Sequence, residues 1–183
     1  MKNVSKVLTS SALAACLALP FGAHAADMNT PAASALNKAD QKILQEMAVA
    51  NIDEIAAAKI AVNKSQSAEV KAFAQQMIDD HTKALNDVTT LAQTKGVTLP
   101  TEPDTKHKAA AAALEKLSGA AFDKAYMMQA GVGDHNAVQK KLQKNQTKAK
   151  DADVKALAAK MLPTVEQHLH SAHQLRDAQK AAK

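Results

Sequence analysis

The sequence predicts an all-α protein, a four-helix bundle of two antiparallel hairpins joined by a long crossover that holds a short helix. Three observations carry that expectation. Aromatic residues make up only 2% of the chain, with no Trp, while Ala recurs throughout; this suits helices packed through small side chains and disfavours sandwiches and barrels. Four stretches repeat apolar residues at alternating spacings of three and four, the period of one helix face. The chain also repeats itself. Ser67-Ala-Glu-Val-Lys-Ala-Phe-Ala matches Asp151-Ala-Asp-Val-Lys-Ala-Leu-Ala, and Met77 then falls opposite Met161.

The elements follow in order. Residues 1–25 read as a signal peptide: Lys2 and Lys6 precede an uncharged apolar run from Val7 to Phe21, and Ala23-His24-Ala25 offers the small residues of a cleavage site. Pro20 and the short length argue against a membrane span. Leu13-Ala14-Ala15-Cys16 also looks like a lipoprotein box, but the apolar run continues past Cys16, so cleavage after Ala25 is the expectation. Export to the periplasm follows, with membrane association only if Cys16 is lipidated. Loss of Lys2 and Lys6 takes the net charge from +5 to +3 and leaves no cysteine, so no disulfide is needed in an oxidising compartment. The charge is mild and aromatic–basic interleaving is absent, which excludes nucleic acid as an expected partner.

Residues 26–38 read as a flexible leader and residues 39–180 as the bundle domain. The first helix carries Ile43, Met47, Ala50, Ala57 and Ala61 on one stripe, with Glu54 among them. Asn63 to Ser67 is a polar break in which Ser67 suits an N-cap. The second helix aligns Val70, Ala74, Met77, Ala84, Val88 and Leu91 with His81, and Gly96 suits its C-terminal cap. Val97 to Pro103 is a loop, followed by a short Ala-rich helix from Asp104 to Leu117. The third long helix puts Phe122, Ala125, Met128, Val132, Val138 and Leu142 on its buried face with His135. Gly131 and Gly133 favour a local break there. Asp151 caps the fourth, which aligns Val154, Leu157, Met161, Val165, Ala172 and Leu175 with His168; Pro163 should kink it. Two hairpins with one long crossover is the connectivity of ferritin-like bundles.

Each long helix therefore places one ionisable residue in an apolar stripe: Glu54, His81, His135 and His168. Counted from the turns, the four fall at similar heights. Three imidazoles and one carboxylate make a competent ligand set for one divalent transition metal such as zinc, iron, manganese or copper. The plainer reading is a set of core polar residues that satisfy one another. The di-iron Glu-x-x-His pattern is absent, since Ile78 and Val165 stand three residues before His81 and His168. Asp80 and Asp134, adjacent to two of the histidines, point away and suit only a supporting role.

Met47, Met77, Met128 and Met161 flank the polar residues. Their thioethers would suit Cu(I), but Met is also the usual filler of irregular cores. Glu166, His170 and His173 share a polar face of the fourth helix, and His107 shows no partner. No phosphate-binding glycine loop or nucleophile–base constellation appears.

The sequence resembles a bacterial family of exported proteins known as a domain of unknown function and grouped with ferritin-like bundles. The resemblance rests on Asn51-Ile-Asp-Glu54-Ile55, on Val70-Lys-Ala-Phe-Ala-Gln-Gln-Met77-Ile-Asp-Asp80-His81, on Phe122-Asp-Lys-Ala-Tyr126 followed by His135, and on Leu162-Pro163 with His168-Leu169. It covers roughly Asp40 to Leu175 and implies fold, export and a site shared among Glu54 and the three histidines. It implies no established activity. The expectation is an envelope protein with a metal-binding or redox-protective role; the alternative is a non-catalytic structural or stress-response protein without metal.

Overall fold

The computed structural model describes residues 35–181. The expected signal peptide and cleavage site, Cys16 and most of the expected leader lie outside the described residues. The described chain is all helix, turn and loop: α1 (Lys38–Lys64), α2 (Ala68–Lys95), α3 (Thr105–Leu114), α4 (Gly119–Tyr126), a π-helical segment (Met127–Asp134), α5 (His135–Lys148) and α6 (Ala152–Ala181). No helix among the described residues is long and apolar enough to cross a membrane.

The helix boundaries follow the local chemistry. Ser67 accepts from the Val70 amide at 3.2 Å and opens α2, and Gly96 closes it with φ +67°, a conformation that favours glycine. Asp151 accepts from the Asp153 and Val154 amides and opens α6. The two ends of the sequence repeat are thus two N-caps of the same kind, each worth about 1 kcal/mol. Leu36, expected in the flexible leader, is instead buried in the core, and Asn37 caps α1 through the Ala39 and Asp40 amides. Asp40, fully buried, reaches across to accept from the Lys150 and Asp151 amides. It joins the start of α1 to the turn before α6.

The hairpin α1–α2 is closed by residues 65–67, and α5–α6 by residues 149–151. The two hairpins meet mainly through α2 against α6, while the π segment extends the packing of the third long helix on α6 within the second hairpin. Pro163 lies inside α6, and the helix runs on through it.

The third long helix differs from its expected course. Between Gly119 and Lys148 it is α, then π, then α. A π turn adds a residue to the winding and shifts the face that follows. Met127 is fully buried and Met128 is 46% exposed, the reverse of the expected stripe, because Met127 continues the α period of Phe122 and Tyr126. Gly131 makes the segment's approach to α6 practicable: a Cβ there would stand 3.0 Å from the Met127 methyl and 3.1 Å from the Ala172 Cβ.

The apolar core is two clusters rather than one. Leu44, Met47, Val88, Leu142, Val154 and Leu157 belong to the first; Val70, Phe73, Met77, Phe122, Tyr126 and Ala172 belong to the second. Along every long helix a polar residue separates them. Asn51 and Glu54 do so on α1, His81 on α2, His135 on α5 and His168 on α6, and all five are buried.

Candidate metal centre

The structure brings His81, His135 and His168 together. His81 Nε2 lies 3.4 Å from His135 Nε2, which lies 3.3 Å from His168 Nδ1. One nitrogen of each ring falls within 4.8 Å of the other two. The residues are 6%, 1% and 1% exposed, so their side chains lie in the interior.

The outward nitrogens decide what the inward ones carry. Asn51 donates from Nδ2 to the Met47 carbonyl at 2.7 Å, which turns its Oδ1 toward His81 Nδ1 at 2.9 Å. Only a protonated Nδ1 can donate to that oxygen. His135 Nδ1 donates to the Ala130 carbonyl at 2.8 Å, five residues back within the π segment. His168 Nε2 donates to Asp80 Oδ2 at 2.9 Å. Each ring has therefore spent its proton outward and turns a lone pair inward. Burial keeps all three neutral: it pushes His135 down to about 4 and His81 well below the usual histidine range, the latter helped by the two neighbouring rings. His168 is also lowered by burial, against the pull of Asp80.

Three lone pairs facing one another could hold a cation between them. Nitrogen ligands at about 2.0–2.1 Å in tetrahedral array stand about 3.4 Å apart, which the two measured separations match. Hydrogen bonds that hold the outward nitrogens are the arrangement expected behind metal-bound imidazoles. His81 and His135 face a cavity of about 240 Å³ that also takes in Glu54, Asp80 and Met161.

Glu54 is buried with them but stands elsewhere. Its Oε1 lies 3.4 Å from His135 Nδ1, the outward nitrogen, so it sits behind His135 and not among the three inward atoms. Its Oε2 has no hydrogen-bond partner. Burial, then Asp134 and Asp53, raise its pKa well above the usual carboxylate value.

The residues around the four meet the expectations from sequence unevenly. Asp80 takes the supporting role expected of it, whereas Asp134 turns to Lys106 and His107. His107 is not without partners: its Nδ1 lies 2.8 Å from both Asp53 Oδ2 and Asp104 Oδ1. Met128 leaves the methionine set, being exposed, while Met47, Met77 and Met161 remain buried. Glu166 and His170 are exposed, as a solvated face requires. Asn51 and the Ala130 carbonyl escaped residue-type reasoning. Asn51 stands one turn before Glu54 and opens the Asn51–Ile55 motif, but a backbone carbonyl leaves no sequence signal.

No curated protein matches the sequence. A solved structure, the "Crystal structure of DUF305 fragment from Deinococcus radiodurans", is similar in fold at TM-score 0.70 and 12% identity, covering 79% of this chain and 99% of that one. A family model, "Domain of unknown function (DUF4142)", matches residues 25–175. With most of the bundle and all three site histidines inside that match, the chain belongs to the DUF4142 family.

Proposed function

We propose that His81, His135 and His168 bind one divalent transition metal (zinc, iron, manganese or copper) in an exported envelope protein with a metal-handling or redox-protective role. The observation that supports this reading is the convergence of three lone pairs whose ring protons are all committed outward. Imidazole donors suit zinc, copper and iron. Glu54 is proposed as the neighbour of His135 Nδ1, not as a fourth inward ligand. The competing reading is a structural or stress-response protein without metal. It is supported by the position of the polar layer between two apolar clusters, where it would fix helix register.

Thermal unfolding separates them. Zinc at a hundredfold over Kd favours the native chain by about 2.7 kcal/mol, a rise of several degrees in Tm. His81→Ala or His168→Ala should abolish the rise, and His170→Ala on the exposed face should keep it. If zinc, copper, iron and manganese all leave Tm unchanged, the histidines are structural. Export is tested by the intact mass of the secreted chain, which should begin at Ala26; an acylated Cys16 would move the protein to a membrane surface.

A further inference from the structure

The three histidines supply donors but no charge. Each ring gives its one proton to an outward acceptor and turns a neutral lone pair inward. A divalent ion among those lone pairs would carry its charge into the interior, which is costly until a counter-charge meets it. The neighbouring carboxylates act across the rings. Glu54 stands 3.4 Å from the outward Nδ1 of His135, and Asp80 holds His168 Nε2 at 2.9 Å. Among the described residues, the group of ligand atoms lying within 4.8 Å of one another here holds the three histidines and no carboxylate.

Open space adjoins this centre. His81 and His135 line the inner end of the cavity of about 240 Å³, and the exposed Lys83 and Lys160 with the half-buried Asp87 mark its outer end. Lys160 Nζ pairs there with Asp87 Oδ2 at 2.8 Å, linking α6 to α2. Between the two ends Ala50 and Ala84 offer only methyl groups, and Met161 offers a neutral thioether that brings no charge. The volume falls below the range of about 300–1,000 Å³ usual for drug-sized ligands.

We propose, on the reading of the histidines as a metal centre, that the fourth coordination position opens into this cavity and takes a small inorganic anion entering between α2 and α6. Three protein ligands with one open position is the arrangement of zinc centres that bind water or substrate, whereas structural zinc is closed by four protein ligands. The anion displaces metal-bound water, and no bond within it breaks. It brings the counter-charge that neutral imidazoles lack.

The test loads the full chain with cobalt(II), whose visible bands report its coordination, and adds sodium azide. The wild-type bands should shift and saturate with azide while cobalt stays with the protein. Ala84→Leu, which puts a larger side chain into the passage, should keep the cobalt bands and weaken azide binding at least tenfold. If Ala84→Leu does not fold, Ala50→Leu on α1 decides instead, with the same expected loss. A chain that holds cobalt yet shows no band shift up to about 100 mM azide overturns the proposal and leaves the metal reading standing. Azide that strips the cobalt, or binds equally to a folded filling variant, overturns it as well. So do cobalt bands unchanged by His81→Ala/His168→Ala, or no uptake of cobalt; the zinc-dependent rise in Tm then says separately whether the metal reading falls too.

Discussion

Two regions of this molecule use histidine in opposite ways. In the layer between the apolar clusters, His81, His135 and His168 each donate outward to one fixed acceptor: a side-chain amide, a backbone carbonyl and a carboxylate. What remains inside is three lone pairs. In the crossover cluster, His107 is flanked by acceptors on both ring nitrogens, Asp53 and Asp104 at Nδ1 and Asp134 at Nε2. What surrounds that ring is carboxylate oxygen. The first region has imidazole donors at 1–6% exposure; the second mixes a buried Asp53 with an exposed Asp104. The partners of a ring, more than its residue type, determine what it can hold.

The difference has a sign in pH. His135 has a native pKa of about 4 against an ordinary 6.5, with burial the main cause. Between those values the unfolded chain binds the proton and the native chain does not, so stability falls as pH drops from about 6.5 to 4. The loss from His135 alone is on the order of 3 kcal/mol, and His81 and His168 act in the same direction. Asp53 opposes them. Burial raises it from 3.8 to about 6, so between those values the native chain is the better proton binder, and its contribution grows as pH falls. Urea unfolding of the metal-free chain should show a steeper acid loss in Asp53→Asn than in the wild type, because one opposing group no longer titrates. An acid loss no steeper in that variant would break the contrast.

The next effect isolates the tautomer of His81. Asn51→Ala removes the acceptor that holds the Nδ1 proton, which should weaken zinc binding about 10–100-fold. The share of the acid response that depends on Asp53 should not change. Isothermal titration with zinc and urea unfolding against pH check the two halves, and a change in both would mean the regions are not separable.

Gly131→Ala should give the smallest change. The new methyl would crowd Met127 and Ala172, an overpacking cost of about 1–3 kcal/mol offset in part by about 1 kcal/mol of helix propensity. A net loss of about 1 kcal/mol in unfolding free energy is expected. Zinc affinity should fall modestly, because the Ala130 carbonyl that orients His135 is the neighbouring residue. A stabilised variant with full zinc affinity would show that the close approach of the π segment to α6 is dispensable.

Much of the fold was legible because helices announce themselves locally. The period of Val70, Ala74 and Met77, the caps at Ser67 and Asp151 and the stop at Gly96 each act within a few residues of where they stand, and the structure places them as read. The rise of Glu54, His81, His135 and His168 to one layer was legible too, since it needs only counting from the turns. The choice of Met128 over Met127 as a core residue failed because the count stepped by three from Phe122 to Ala125 to Met128, whereas the α period buries Phe122, Tyr126 and Met127.

By itself, then, the sequence determined the helices, their ends and which residue of each helix enters the polar layer, because these depend on contacts a turn or two apart. The tertiary structure decided which ring nitrogen each histidine presents, that Glu54 stands behind His135, and that His107 lies among three carboxylates. Those outcomes depend on partners such as Asn51 for His81 and Asp80 for His168, 30 and 88 residues away in the chain. A proton on an imidazole goes to whichever acceptor the packing brings within about 3 Å, and no local pattern records that meeting.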